Sequence, residues 1–360
     1  MLSIERQAVA RRTATTEYRK FRGIALLLIV ILVITMLSAC GGKEKPEENP
    51  GAAKTEANTQ AAVQSESSKE NEKGNTIKIK HGFGETEVPV HPQRVAVFGL
   101  EDIMLSLEAP MVYAYDFKGY YLDDQLQKLN ISLSGSADFK PNPEAILEAD
   151  PDLIIVQQYS TDEKGYAELS KIAPTIAFAP DDWKSSIVEI GKALGLEDKA
   201  QAVIQAYEEK LKQAQDTIIQ AVGSDKTVAF VRPSDKNLQV FFPSFNLVYT
   251  DFGLKPDSSI AELQKKSEDD WGVNLSLEEL PLITADYVFA IYGGSIDTED
   301  AHQEAIGTAK QIEQLQIWKS LPAVKKNQVF KVSSRHWMSS GPIAESMEAD
   351  DVVNAVTDKF

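Results

Sequence analysis

Cysteine and histidine are scarce in this chain, and this scarcity limits the metal and redox chemistry that it can support. Among 360 residues there are one cysteine and four histidines. A single cysteine excludes an internal disulfide. A site for bare zinc or manganese combines several histidines and carboxylates, and His81, His91, His302 and His336 form no such group along the sequence. We therefore expect no metal ligands from the protein itself.

Sequence motifs typical of catalysis and of nucleotide binding are absent as well. The chain contains no G-x-S-x-G, no P-loop and no G-x-G-x-x-G. Its net charge of −17 opposes binding to the phosphate backbone of nucleic acids. We expect neither an enzyme nor a nucleic-acid-binding protein.

The N-terminus has the pattern of an export signal. Arginines and a lysine precede the apolar run 23–37, which is shorter than the roughly 20 residues that span a bilayer. The next residues, 37–41 (LSACG), resemble the lipobox of bacterial lipoproteins, and they contain the sole cysteine, Cys40. We predict a signal peptide at 1–39 and lipidation of Cys40, with a single membrane-spanning anchor as the alternative.

A polar segment follows the predicted lipidation site. Residues 41–75 hold no aromatic residue and one branched aliphatic residue, Val63. Such a composition cannot bury enough apolar surface to fold. We interpret 40–75 as the lipidated cysteine with a disordered tether, whose reach is roughly 30–35 Å.

The rest of the chain alternates between strand and helix patterns on both sides of a long helical stretch. We predict an N-terminal α/β lobe at 76–182, a helical segment with an interdomain helix at 183–223, and a C-terminal α/β lobe at 224–360. Apolar residues recur every three or four positions over 198–222, which predicts a helix long enough to bridge two lobes.

The strand and helix patterns can be placed along the chain. We predict strands at 77–80, 86–90, 94–98, 112–115, 153–156, 175–178, 227–231, 238–241, 287–291 and 328–332. We predict further helices at 101–109, 121–130, 245–253 and 310–320, and one that begins near residue 344.

One unit occurs once in each predicted lobe. Glu144 precedes Asp152 by eight positions, and Glu278 precedes Asp286 by the same interval. Each aspartate leads directly into a strand-like run. The repeat predicts two lobes of similar construction, each with a carboxylate at a comparable place.

The order of several short segments resembles the substrate-binding lipoproteins of ABC importers for ferric siderophores, cobalamin and haem. The segments are HPQRV at 91–95, PNPE at 141–144, DPDLI at 150–154, KIAPT at 171–175, IGKALG at 190–195, DFGL at 251–254 and WKSLPAV at 318–324. The resemblance implies two Rossmann-like lobes with mainly parallel sheets, bridged by one rigid helix, as in class III periplasmic binding proteins. It also implies a ligand held between the lobes, and a permease dimer with its ATPase that docks onto Glu144 and Glu278.

Candidate ligand contacts follow the predicted strands. Only three arginines lie beyond the leader, and Arg232 and Arg335 each follow a second-lobe strand, where α/β folds present ligand groups. The third, Arg94, precedes a strand, and we interpret it as structural. The aromatic candidates are Trp337, Tyr292, Tyr159, Trp271 and Phe98.

The ligand predicted from the resemblance is a ferric siderophore of hydroxamate or citrate-hydroxamate type, since two arginines are few for a highly anionic tris-catecholate. Its own oxygens hold Fe³⁺, so no cofactor is expected. Cobalamin or haem is the alternative, and a directly bound metal ion is the least favoured one. We expect a monomer anchored on the extracytoplasmic face of the cell membrane, of Gram-positive type.

Overall fold

The computed structural model describes residues 75–136, 138–234, 236–249, 251–294 and 298–357. The predicted signal peptide, Cys40 and all but the last residue of the predicted tether lie outside these ranges. Among the helices in the described ranges, none has the length and apolar character that crossing a membrane requires.

The first sheet lies in the first α/β lobe and is entirely parallel. Its strands run in the order β5-β4-β3-β6-β7. They are β3 (Val95–Phe98), β4 (Met111–Tyr115), β5 (Ser132–Ser134), β6 (Leu153–Gln157) and β7 (Thr175–Phe178). Four of them are almost wholly apolar because helices cover both faces of the sheet. The chain reverses its direction of winding at β3, which places a crevice at the carboxyl ends of β3 and β6.

Short helices and one hairpin surround this sheet. The helices are α1 (Glu101–Ser106), α2 (Asp123–Leu126), α3 (Pro143–Glu148) and α4 (Glu163–Leu169). The antiparallel strands β1 (Thr76–His81) and β2 (Gly84–Pro89) form the predicted hairpin.

Two helices connect the lobes. They are α5 (Trp183–Leu194) and α6 (Glu197–Val222), separated by Gly195 in the left-handed region with φ of 69°. At 26 residues, α6 is about 39 Å long. Near its start, Ala200 and Tyr207 pack into the first-lobe core, and near its end Ala214 and Ile218 pack into the second-lobe core. The prediction of one long bridging helix is therefore confirmed.

The second sheet is mixed, whereas the sequence predicted mainly parallel sheets. Its order is β11-β9-β8-β12-β13, with β10 also paired to β8. The strands are β8 (Thr227–Pro233), β9 (Asn237–Phe241), β10 (Lys255–Pro256), β11 (Gly272–Ser276), β12 (Tyr287–Tyr292) and β13 (Val329–Ser333). Only residues 234–236 separate β8 from β9, and a parallel pair needs a much longer crossover, so β9 runs antiparallel to β8. Strand β11 is in turn antiparallel to β9.

The helices of the second lobe complete the fold. They are α7 (Ser258–Lys266), α8 (Glu299–Ile312), α9 (Gln316–Lys319), α10 (Pro322–Lys325), α11 (Ser334–Trp337) and α12 (Pro342–Val356). The helix predicted at 310–320 is thus the end of α8 followed by the separate α9.

The helix predicted at 245–253 was wrong. This stretch contains one 3-10 turn, Leu247–Tyr249. The Asn246 side chain accepts a hydrogen bond from the backbone N–H of Val248, which competes with a regular helix. Tyr249 is buried, and its hydroxyl donates to the carbonyl of Phe241. The apolar residues that suggested an amphipathic helix pack in the second-lobe core instead.

Candidate ligand-binding site

Aromatic side chains cluster at the carboxyl edge of the first sheet. Phe98 and Tyr115, the last residues of β3 and β4, have ring centroids 4.8 Å apart. Phe139 lies 5.0 Å from Phe98 and 5.1 Å from Tyr115. Phe117 lies 5.7 Å from Tyr115 and stacks on Tyr120 at 4.9 Å. The structure thus places Phe98 at the crevice formed by the carboxyl ends of β3 and β6, where its side chain is buried. Phe117 and Phe139 are the partly exposed members of the cluster.

Two buried carboxyl groups, those of Glu101 and Asp116, adjoin the aromatic cluster. Glu101 accepts hydrogen bonds from the backbone N–H groups of Gly99 and Tyr115, at 2.9 and 3.1 Å. Burial raises the pKa of Glu101 to about 7. Asp116 follows β4 and accepts a hydrogen bond from the Gln127 amide, and burial is the main cause that raises its pKa to about 6. Within the described residues, Glu101 Oε2 and Asp116 Oδ1 have no hydrogen-bond partner. The first-lobe side of the site is therefore aromatic and weakly acidic.

Arg335 joins the two lobes. It lies on α11, directly after β13, and its backbone N–H donates to the hydroxyl oxygen of Ser333. Its guanidinium Cζ lies 4.7 Å from the ring centroid of Phe117 in the first lobe, a distance typical of a cation–π contact. Its Nη2 also lies 3.3 Å from Oε2 of Glu299 at the start of α8. The structure therefore places this predicted ligand residue at the seam between the lobes.

Trp337 lies apart from this seam, and its assignment as a ligand contact stays a prediction. Its side chain is 1% exposed, and its ring centroid lies 5.2 Å from both Phe230 and Phe289. Its indole N–H donates to Asp351. Residues two positions apart on a helix point in nearly opposite directions, so Arg335 and Trp337 on the short α11 cannot both face the other lobe.

Arg232 and Trp271 lie on one face of the second sheet. The guanidinium Cζ of Arg232 is 5.7 Å from the Phe241 ring, and Trp271 is 6.1 Å from the same ring. Both are partly exposed. The structure thus brings these two candidates together through Phe241.

The two tyrosine candidates differ in accessibility. Tyr159 follows β6, is exposed, and donates a hydrogen bond to Asp181. Tyr292, the last residue of β12, is buried, and its hydroxyl donates to Glu313 while Lys331 lies over its ring. The side chain of Tyr292 is therefore bonded within a polar cluster of its own lobe, and its assignment as a ligand contact stays a prediction.

The repeated unit has a structural part and an exposed part. Asp152 accepts hydrogen bonds from the N–H groups of Gln93 and Arg94, just before β3. Asp286 likewise accepts from Thr227 N–H, at the start of β8. In each lobe the aspartate therefore joins the start of its own strand to that of the neighbouring central strand.

The glutamates of the repeat face solvent. Glu144 lies in the first turn of α3, where Asn142 accepts a hydrogen bond from Ala145 N–H. Glu278 lies in the 3-10 helix Leu277–Leu282, which begins with a capping box. Both glutamates are exposed.

Arg94 has the structural role that the sequence suggested. Its guanidinium donates to the backbone carbonyls of Ala149 and Asp150, both at 2.6 Å, at the end of α3. This bonding satisfies carbonyls that a helix end leaves unpaired.

Several residues of the candidate site were not predicted. Phe117, Phe139, Asp116 and Glu299 all lie in or next to loops that follow strands. Their position after β4, β5 and β12 was a usable signal, because ligand groups concentrate there in α/β folds. In the described ranges, no three His, Cys, Asp or Glu side chains are grouped so as to hold a metal ion.

Comparison with known proteins identifies the family. The model of the periplasmic binding protein family matches residues 107–335. The chain belongs to this family. Its members are binding components of transporters and not enzymes, which confirms the prediction of a non-enzymatic protein.

Individual relatives agree with the family assignment. The iron(3+)-hydroxamate-binding protein FhuD of Bacillus subtilis is 27% identical over 94% of this chain and 98% of its own length. The "Probable siderophore-binding lipoprotein YfiY" of the same organism is 27% identical over 91% of this chain and 96% of its own. A solved FhuD-fold component of a ferrichrome ABC transporter from Bacillus subtilis superposes with a TM-score of 0.64, at 27% identity, over 77% of this chain and 99% of that one. The predicted resemblance and the two-lobed α/β fold are thereby confirmed.

Proposed function

We propose that the protein is the extracytoplasmic solute-binding lipoprotein of an ABC importer and that it captures a ferric siderophore between its lobes. The observation that carries the proposal is the seam itself. There a cationic group of the second lobe, Arg335, meets the partly exposed aromatic cluster of the first lobe. Relatives whose names specify ferric hydroxamates or siderophores support the ligand class.

In this proposal the siderophore carries its own iron. Hydroxamate oxygens saturate Fe³⁺, so the protein recognises the organic shell and needs no resident cofactor. Aromatic rings pack against such a shell, and a guanidinium donates to its outer oxygens. Arg335, Phe117 and Phe139 are the first candidates for these contacts, followed by Arg232, Trp271 and Tyr159.

Delivery is proposed to occur through the exposed glutamates. Glu144 and Glu278 sit at comparable places in the two lobes, and each would form a charge-assisted pair with an arginine of a two-fold permease dimer. Each glutamate also has an exposed leucine nearby in sequence, Leu147 at 61% and Leu282 at 49% exposure. In the proposed complex these leucines would add apolar contact area next to each ion pair.

The sole cysteine provides an attachment point for a membrane anchor. We propose that Cys40 carries a lipid, that residues 41–75 act as a tether, and that the folded lobes work as a monomer on the outer face of the membrane. The relative YfiY is named as a lipoprotein, which supports this location. Mass spectrometry of the membrane fraction tests it, since the mature chain is expected to begin at a diacylated Cys40.

A fluorescence titration tests the ligand. The purified protein is titrated with ferrichrome, ferrioxamine, ferric citrate, a ferric catecholate, haem and cobalamin while tryptophan emission is recorded. Saturable quenching by a ferric siderophore at sub-micromolar concentration, weakened tenfold or more in Arg335→Ala, is the expected result. Response only to haem or cobalamin would replace the proposed ligand, and no response to any ferric complex would contradict the proposal.

A further inference from the structure

Arg335, the cation at the seam, already faces a carboxylate of its own chain. Glu299 Oε2 lies 3.3 Å from Arg335 Nη2. The other carboxylate oxygen, Oε1, accepts a hydrogen bond of 2.8 Å from the side-chain amide of Gln303, one turn further along α8. Glu299 is therefore held from two sides in the orientation that meets the guanidinium.

The first lobe packs directly onto this ion pair. Gly119 has φ of 84°, and a Cβ at this position would lie 2.6 Å from Glu299 Oε2 and 3.5 Å from Arg335 Nη2. A larger residue would be strained by this backbone conformation and would crowd the carboxylate of Glu299. The pair is thus part of the surface on which the two lobes meet.

The two members of the pair differ in exposure. The Arg335 side chain is 5% exposed, whereas that of Glu299 is 32% exposed. A hydrogen bond from Gln303, together with the positive charge of Arg335, lowers the pKa of Glu299 although partial desolvation opposes the shift. At neutral pH Glu299 is therefore ionised, and it is the more accessible member of the pair. Lys118 is a further and smaller source of positive charge near the carboxylate.

Ferric siderophores differ in charge by class. Three singly charged hydroxamates balance Fe³⁺, so a tris-hydroxamate complex is neutral, whereas a tris-catecholate complex keeps excess negative charge. Because the carboxylate already offsets the charge of the guanidinium, an anionic ligand gains little electrostatic attraction from the pair. The carboxylate also repels such a ligand. A neutral complex avoids this repulsion and can still accept hydrogen bonds.

We propose that Glu299 is a specificity-determining residue, which offsets the charge of Arg335 and repels anionic complexes, so that the site selects ferric siderophores without net negative charge. This inference rests on the proposed function and narrows its ligand class.

The test measures a ratio of affinities in the full-length protein. Equilibrium dissociation constants are measured for ferrichrome, a neutral tris-hydroxamate, and for a ferric tris-catecholate. We expect the wild-type protein to bind ferrichrome at least tenfold more tightly. We expect Glu299→Gln to reduce this ratio at least tenfold, mainly through tighter binding of the catecholate.

Two further variants separate charge from shape and from general electrostatics. Glu299→Asp keeps the charge, so its affinity for the ferric tris-catecholate is expected to stay low. Glu304→Gln removes an exposed carboxylate from the same helix and is expected to change the ratio less than twofold. Thermal unfolding of each variant verifies that it is folded at the temperature of the titration.

The outcomes separate failure of this inference from failure of the proposed function on which it rests. If the wild-type protein binds a ferric complex but the ratio is the same in Glu299→Gln, or shifts equally in Glu304→Gln, the inference is wrong and the proposed function stands. A wild-type preference for the tris-catecholate also overturns the inference alone. If the wild-type protein binds no ferric complex, the inference and the proposed function are both wrong.

Discussion

Asp102 in the first lobe accepts a hydrogen bond of 2.9 Å from the backbone N–H of Ile343 at the start of the last helix, α12. Its second carboxylate oxygen accepts from Ala344 N–H at 2.9 Å and from the Tyr121 hydroxyl. A residue of one lobe therefore caps a helix that packs beside α6 and belongs to the other lobe. Such a cap resists separation of the lobes, as does the stiffness of α6.

The Asp102 cap predicts a stability that depends on pH. Burial raises the pKa of Asp102 to about 6, with a smaller effect from the charge of Glu345, and the unfolded value is near 3.9. The folded state thus binds the proton more tightly than the unfolded state. The resulting stabilisation is complete below the unfolded pKa and is lost as pH rises through about 6.

The measurement compares wild-type protein with Asp102→Asn by urea unfolding at pH 5 and pH 7.5. Asparagine cannot take up this proton, so the advantage of the wild type is expected to be about 1 kcal/mol larger at pH 5. A difference that is constant over this range, or larger at pH 7.5, would contradict the assignment.

Trp337 is expected to act on stability, because its ring lies between Phe230 and Phe289 in the second-lobe core. Trp337→Ala should cost about 3–5 kcal/mol in the free energy of unfolding. Trp337→Phe should cost less and should retain the affinity for the ligand. A stable Trp337→Phe protein with ligand affinity reduced tenfold would show that the indole contacts the ligand after all.

The exposed glutamates are expected to act on uptake alone. In cells that carry the cognate permease, Glu144→Ala combined with Glu278→Ala should abolish uptake of the labelled ferric siderophore and leave its dissociation constant unchanged. Glu209→Ala with Glu304→Ala removes the same charge from exposed positions on other helices and should leave uptake near the wild-type level. Uptake by the first double variant at the wild-type rate would rule out the docking role.

The aspartates of the repeat are expected to behave differently from its glutamates. Asp152 accepts two backbone N–H groups before β3, so Asp152→Ala should lower the free energy of unfolding by about 1–3 kcal/mol. A folded sample should bind ligand and support uptake normally, as denaturant titration and transport assays can verify. Loss of uptake by a fully folded Asp152→Ala protein would mean that the aspartate also contacts the permease.

Features set by local sequence were predictable. The periodic apolar face of α6 and the unbroken apolar runs of β6 and β12 reflect burial that any compact fold of this chain would impose. The Glu–Asp repeat indicated two related lobes because its aspartates bond at comparable points of the two sheets. The bridging role of α6 likewise follows from an apolar stripe that continues along its full length.

Features set by tertiary contacts were not predictable in the same way. The direction of β9 depends on a short connection. The described residues of the stretch 245–253 form a 3-10 turn in place of a helix because Asn246 and Tyr249 bond elsewhere. The orientation of α11 decides whether Arg335 or Trp337 reaches the other lobe, and the sequence does not specify that orientation. Phe117 and Glu299 meet Arg335 only after the lobes are assembled, so no local pattern could pair them.

A structure of the complex with the ferric siderophore that binds most tightly in titration would locate the ligand. We predict the iron between the lobes, coordinated by siderophore oxygens alone, with the organic shell against Phe117 or Phe139 and within hydrogen-bond distance of Arg335. An iron coordinated by a protein side chain, or a ligand bound away from the seam, would contradict this prediction.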